Sequence, residues 1–224
     1  MKPAASSWRS YVRAGIGRRL SLVGQRLGVD WLTYNPIHFR HFHEHGLRNA
    51  PAVMRVIART FPEAKSYVDV GAGSGVYAAE AQRHGIRVVA CEYSSTGRRW
   101  ATRQGVDCRP FDLTREPPAP ITDTFDLSYC FEVAEHLPPA LGDRLIVFLA
   151  GLAPIAIFSA AHPGQGGTGH INEQPKEYWI EHFVRAGMQF LDEPSAALAE
   201  GFRREHVEAT WLIANVMAFG RAGH

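Results

Sequence analysis

The chain has 224 residues, 46% of them hydrophobic and 21% charged, with a formal net charge of +2. That supplies one hydrophobic core and too little chain for two comfortable ones, and it selects no class of partner. No apolar run approaches the roughly 20 residues of a membrane span, and the 3 cysteines include no CxxC pair, so a spanning protein and a disulfide scaffold are both excluded. The thiols read as buried structural groups, no secretory signal is legible, and a cytoplasmic location is the expectation.

The chain opens on a basic stretch. Before residue 50, Lys2, Arg9, Arg13, Arg18, Arg19, Arg26, Arg40 and Arg48 stand against Asp30 and Glu44. An apolar stripe of Trp8, Tyr11, Val12, Ile16, Leu20, Val23 and Leu27 recurs among them at helical steps. Residues 1–50 are therefore expected to form a basic helical arm or lid that packs on the rest. Peripheral contact with a membrane surface is the rival use. Nucleic acid is disfavoured, because the charges are interleaved with apolar residues and form no patch. His38, His41, His43 and His45 crowd the stretch 34–46, but their spacing fits no common ligand set. Residues 50–61 read as a short helix.

From residue 66 strands and helices alternate. SYVDVGAG is strand then turn, VYAAEAQRHG helix, IRVVACE strand, STGRRWATRQG helix, VDCRPFD strand, TFDLSYCF strand, PALGDRLIVFLAGLA helix and IAIFSAA strand. This alternation predicts an α/β fold, a Rossmann-like doubly wound parallel sheet with helices on both faces. In the tail, MQFLDE and WLIANVMAFGRA read as strand-like, separated by a polar, partly helical stretch.

Chemistry concentrates at the strand ends. In VDVGAGSG, Asp69 closes a strand, and Gly71, Gly73 and Gly75 form the turn into a helix, where the backbone can approach a ligand closely. An acid just before such a turn would repel a pyrophosphate. It suits a cation such as the amino end of a methionyl group. Glu92 ends the next strand, where a carboxylate can accept from both ribose hydroxyls, and Asp112 follows the third, where an acid can accept from an adenine amino group.

This ordered set resembles the class I S-adenosylmethionine-dependent methyltransferases over about residues 60–224. The resemblance implies a last strand running antiparallel and a cofactor-binding domain over residues 51–224. It also implies cofactor contacts by Asp69, Gly71, Ala72, Gly73, Gly75, Glu92, Tyr93, Asp112, Leu113, Phe131 and Glu132.

The stretch FEVAEHLP, 131–138, follows the fourth strand. The Asn/Asp-Pro-Pro-aromatic run of base amino-methylating enzymes is not at this place, and EVAEHLP resembles small-molecule and terminal-ribose O-methyltransferases. In one helical turn Glu132, Glu135 and His136 would share a face. Carboxylates and an imidazole so arranged suit a divalent cation. With His170 of the glycine-rich loop after the fifth strand, the set resembles the metal site of small-RNA 2′-O-methyltransferases and of ubiquinone-pathway O-methyltransferases. It implies Glu132, Glu135, His136 and His170 as ligands of Mg²⁺ or Mn²⁺. Without metal, His170 or His162 would be the general base and His136 would hold the loop. The loop GQGGTG reads as a gate.

The expected activity is S-adenosylmethionine-dependent O-methylation of a small molecule, a sugar or glycan precursor or a polyketide or phenolic natural product. The alternatives are an RNA 2′-O-methyltransferase and a non-catalytic cofactor-binding module.

Overall fold

The computed structural model describes residues 36–221, so the apolar stripe from Trp8 to Leu27 lies outside the described residues. The first element among the described residues is α1, Pro36–Thr60, of 25 residues. It replaces the short helix expected over 50–61 and runs unbroken through position 50. Pro51 stands inside it, and its first half is held by contacts that sequence spacing does not show, described below.

The rest alternates as expected: β1 (Ser66–Val70), α2 (Val76–Arg83), β2 (Arg87–Glu92), α3 (Ser95–Arg103), β3 (Asp107–Pro110) and β4 (Leu127–Phe131). A short 3-10 turn, Ala134–His136, precedes α4 (Pro139–Leu152) and β5 (Ile155–Ser159). Then follow α5 (Lys176–Arg185), β6 (Met188–Phe190), α6 (Asp192–Arg204), α7 (Thr210–Asn215) and β7 (Met217–Arg221). The stretch WLIAN, expected as strand, is helix α7. The buried residues there are Ala209, Leu212, Asn215 and Val216, a helical spacing and not an alternating one.

The sheet has 7 strands in the order β3-β2-β1-β4-β5-β7-β6. β1 to β5 pair in parallel, while β7 runs antiparallel to both β5 and β6. Alternation along each strand feeds two cores. Tyr67, Ala90, Leu127 and Tyr129 pack towards α1, α2, α6 and α7. Val68, Val70, Cys91, Cys130 and Phe158 pack towards α4 and α5, around Leu145, Trp179 and Phe183. This is the class I methyltransferase architecture. Its strand order reverses between β1 and β4, and ligands of such sheets bind at the carboxyl ends of the strands flanking that reversal.

Candidate active site

The carboxyl end of β1 carries Asp69, 4% exposed, with Oδ2 unpaired. Burial pushes its carboxyl up to about 8, the Tyr129 hydroxyl opposes the shift, and the charge of Glu92 adds to it. The turn that follows is tied to β2, since Gly71 and Ala72 both donate to the Cys91 carbonyl, at 2.8 and 3.0 Å. Gly71, Gly73 and Gly75 all adopt positive φ. Gly71 is also fixed by packing, because a Cβ there would fall 2.5 Å from Val133 Cγ2. A Cβ on Gly73 would meet nothing within 4 Å. Backbone conformation disfavours a side chain there, and the open space leaves the turn accessible to a ligand.

Glu92 is buried at the end of β2. Its Oε2 accepts from Gly73 N–H at 2.8 Å and its Oε1 from Ser94 N–H at 2.6 Å. Burial pushes its carboxyl up to about 7, against the pull of those bonds and of Arg98. Each oxygen retains acceptor capacity for a ribose hydroxyl. Asp112 is engaged locally: Oδ1 accepts from Thr114 N–H and Oγ–H at 2.9 and 2.6 Å, and Oδ2 pairs with Arg115. These bonds hold its carboxyl below the ordinary range. Leu113 is core, and Tyr93 is exposed.

At the end of β4, Phe131 packs between Tyr77 and Tyr129. Glu132 adopts φ 54, a left-handed conformation that costs a non-glycine residue roughly 1–3 kcal/mol. Its N–H is held by Ser159, through both the carbonyl and Oγ, at 3.0 and 3.2 Å. Glu132 therefore stands outside the 3-10 turn Ala134–His136, and the single helical face expected for Glu132, Glu135 and His136 does not form. Its carboxylate instead accepts from Asn215 Nδ2 and Gln165 Nε2, each at 3.2 Å, while Asn215 Nδ2 also donates to Gln165 Oε1 at 2.8 Å. Gln165 and Asn215 were missed by the sequence reading. Neither carries a motif, and they meet Glu132 only through the fold.

Glu135, His136 and His170 do come together, with ligand atoms within 4.8 Å of one another. Glu135 is 0% exposed and neither carboxylate oxygen has a hydrogen-bond partner. Burial first, then the charge of Glu132, push its carboxyl well above the ordinary range. His136 Nδ1 lies 3.2 Å from the Gly169 carbonyl. Burial, reinforced by His170, pushes it down to about 4, so the ring is neutral near pH 7. His170 Nδ1 lies 2.8 Å from Glu173 Oε1. Glu173 also accepts from Gly164 and Gly166 N–H, which ties the loop to the same carboxylate. Gly167 lies against the His170 ring, where a Cβ would fall 2.2 Å from Nε2. His162 is exposed, bonds the carbonyl of Pro163 and does not join this group.

An unpaired, fully buried carboxylate beside two imidazoles fits a divalent cation, because the alternative is protonation or a large desolvation cost. The orphaned Asp69 Oδ2 and the open space at Gly73 likewise fit the aminoacyl end of S-adenosylmethionine.

Residues 39–145, just under half of the chain, match the sequence family described as a methyltransferase domain. No curated protein matches the sequence. Among solved structures, the chain is similar to an O-methyltransferase family protein from Burkholderia thailandensis, at TM-score 0.64 and 14% identity, covering 97% of this chain and 70% of that one. It is similar to CalS10, an amino pentose methyltransferase from Micromonospora echinaspora solved with S-adenosylmethionine, at TM-score 0.57 and 14% identity, covering 77% and 90%. Magnesium protoporphyrin IX methyltransferase from Synechocystis, solved with S-adenosylhomocysteine, aligns at TM-score 0.56 and 14% identity, covering 76% and 80%. The strand order and these structural likenesses together give this chain the class I methyltransferase fold, with the methyltransferase-domain match lying across its first four strands.

Proposed function

We propose that the chain methylates a hydroxyl of a small molecule, a sugar or glycan precursor or a phenolic or polyketide natural product, using S-adenosylmethionine. Glu135 carries the reading: a fully buried carboxylate with unpaired oxygens beside His136 and His170, at the rim where an acceptor must meet the cofactor. When bound, S-adenosylmethionine supplies an electrophilic methyl group. Asp69 would hold its amino end and Glu92 would accept from the ribose hydroxyls, while Asp112 could accept from the adenine amino group only in addition to its bonds with Thr114 and Arg115. The glycine-rich loop, anchored by Glu173 and Gln165, excludes water from the rim.

An aliphatic hydroxyl is a poor nucleophile at neutral pH, so its proton must be dealt with. Glu135, His136 and His170 would hold a divalent cation, which lowers the pKa of a hydroxyl it binds. With Glu132 engaged by Gln165 and Asn215, the donor set is one carboxylate and two imidazoles, which suits Mn²⁺ better than oxygen-preferring Mg²⁺. A second reading has its own observation. The His170–Glu173 pair at 2.8 Å is a histidine oriented by a carboxylate, the arrangement of a general base.

One assay separates the readings. Methyl transfer is measured on a panel of hydroxylated and aminated sugars and phenols, before and after EDTA. On the metal reading, hydroxyl acceptors are methylated, EDTA abolishes turnover and Mn²⁺ restores it. Full activity after EDTA with an inactive His170→Ala leaves the general base. Transfer to amines alone overturns O-methylation itself.

A further inference from the structure

We propose that His43 is a positioning residue for the cofactor turn, and that α1 is the bar joining this turn to α7 on the acceptor rim. The proposal rests on the reading of the Asp69–Gly75 turn as the cofactor site. His43 Nδ1 lies 3.2 Å from Ser74 Oγ, in the turn itself, between Gly73 and Gly75. The His43 ring also meets the Trp100 ring of α3, centroids 4.7 Å apart. On its far side the Ser74 carbonyl accepts from Gln104 Nε2. Ser74 is thus gripped by α1 and by the end of α3. One helical turn later, Gly46 lies so close to α2 that a Cβ would fall 2.4 Å from Val76 Cγ2. α1 therefore cannot shift without moving the residue that begins α2 and ends the turn.

The same helix reaches the other site. His45 stacks on Trp211 of α7, centroids 5.1 Å apart and rings 22° from parallel. Asn49, fully buried, accepts through Oδ1 from the N–H groups of Glu208 and Ala209, at 2.7 and 3.1 Å, at the entry to α7. α7 ends at Asn215, which holds Glu132 beside Glu135. Ser74 thus meets α1 at His43, and the same helix meets α7 at His45 and Asn49, with Asn215 at the far end of α7 bonding Glu132. Ordering of the turn by cofactor is transmitted along α1 to α7, so cofactor binding organises the acceptor side.

The test is calorimetry with S-adenosylhomocysteine, together with hydrogen exchange of residues 210–215 with and without it. Wild-type protein should bind S-adenosylhomocysteine and gain protection in 210–215. His43→Ala should weaken binding about fivefold, the scale of one lost hydrogen bond, and lose that gain. His43→Asn, whose amide can reach Ser74, should recover most of both. Trp211→Ala should lose the gain and, because coupling is reciprocal, weaken binding as well, by less than His43→Ala because the Ser74 contact is kept. If His43→Ala unfolds, the comparison of wild type with His43→Asn and Trp211→Ala decides. Unchanged affinity and protection in His43→Ala, a His43→Asn no better than His43→Ala, or a Trp211→Ala that keeps the gain would overturn the proposal alone. A wild-type protein that binds no S-adenosylhomocysteine would overturn the cofactor reading and the proposal with it.

Discussion

On the proposed reading, Asp69 serves cofactor binding at the expense of stability. Its carboxyl, pushed up to about 8 by burial, is costly to ionise without a cationic partner. Asp69→Asn should therefore raise the melting temperature of the free protein at pH 8, and weaken S-adenosylhomocysteine binding by at least about tenfold, since the amino end of the ligand loses its counter-charge. Calorimetry and thermal melting on the same samples check both. At this scale much of the geometry of the candidate site was legible. Asp69, the glycines and Glu92 sit at strand ends, and Glu135, His136 and His170 converge because both of their loops leave the carboxyl edge of the sheet. Asn215 and Gln165 were not legible, because an amide carries no local signal of the carboxylate it will meet across the fold. Nor was the left-handed backbone of Glu132, which took it out of the helical face that its spacing suggested.

At the scale of elements, the loop from Gly164 to His170 carries the sharpest prediction. It closes on the rim because Glu173 gathers two of its N–H groups and because Gly167 has no side chain to strike His170. Gly167→Val should prevent that closure. Turnover should fall by at least about tenfold, while S-adenosylhomocysteine affinity stays within about twofold, because the turn proposed to hold the cofactor follows β1 and not β5. Steady-state kinetics and calorimetry separate the two effects; an equal loss of both would show that the loop belongs to the cofactor site. The alternating elements were read correctly from their periodicity, yet α1 was cut short and α7 was taken for strand. Both errors have one cause. Each helix is defined by what it packs against, His45 on Trp211 and Asn49 on the 208–209 backbone, and the apolar spacing alone was ambiguous in the histidine-rich and short tail segments.

At the scale of the molecule, the buried titratable groups set how stability depends on pH. Asp69 and Glu92 have carboxyls raised to about 8 and about 7, and Glu135 is raised as well. Above their unfolded values the folded state binds more protons than the unfolded one, so each of these groups makes stability fall as pH rises towards its folded value. His136, lowered from 6.5 to about 4, acts in the opposite sense, and its contribution rises with pH between those values. The opposing slopes partly cancel up to about pH 6.5. Between about 7 and 8 the raised carboxyls outweigh the histidines, so the free protein should lose stability at up to roughly 1.4 kcal/mol per pH unit for each group still titrating. Denaturant melts at about pH 7.25 and 8 measure that slope, and a ligand whose amino end meets Asp69 should flatten it. A flat profile in the free protein would mean that these carboxyls are paired or solvated in solution.

The doubly wound order was legible because strand and helix periods alternate over most of the chain, and with it came the place of the candidate site, since the reversal between β1 and β4 fixes which strand ends face each other. What the acceptor is was not legible, because pocket walls are surfaces assembled from several loops. The central claim, that the Asp69–Gly75 turn and Glu92 form an S-adenosylmethionine site, is tested most directly by titrating the free protein with S-adenosylhomocysteine in a calorimeter. The account predicts one site with a micromolar dissociation constant, on the order of −8 kcal/mol, weakened by more than about 1.5 kcal/mol in Glu92→Ala, the scale of a lost charged hydrogen bond. Tight binding of a nicotinamide dinucleotide with no heat from S-adenosylhomocysteine would contradict it.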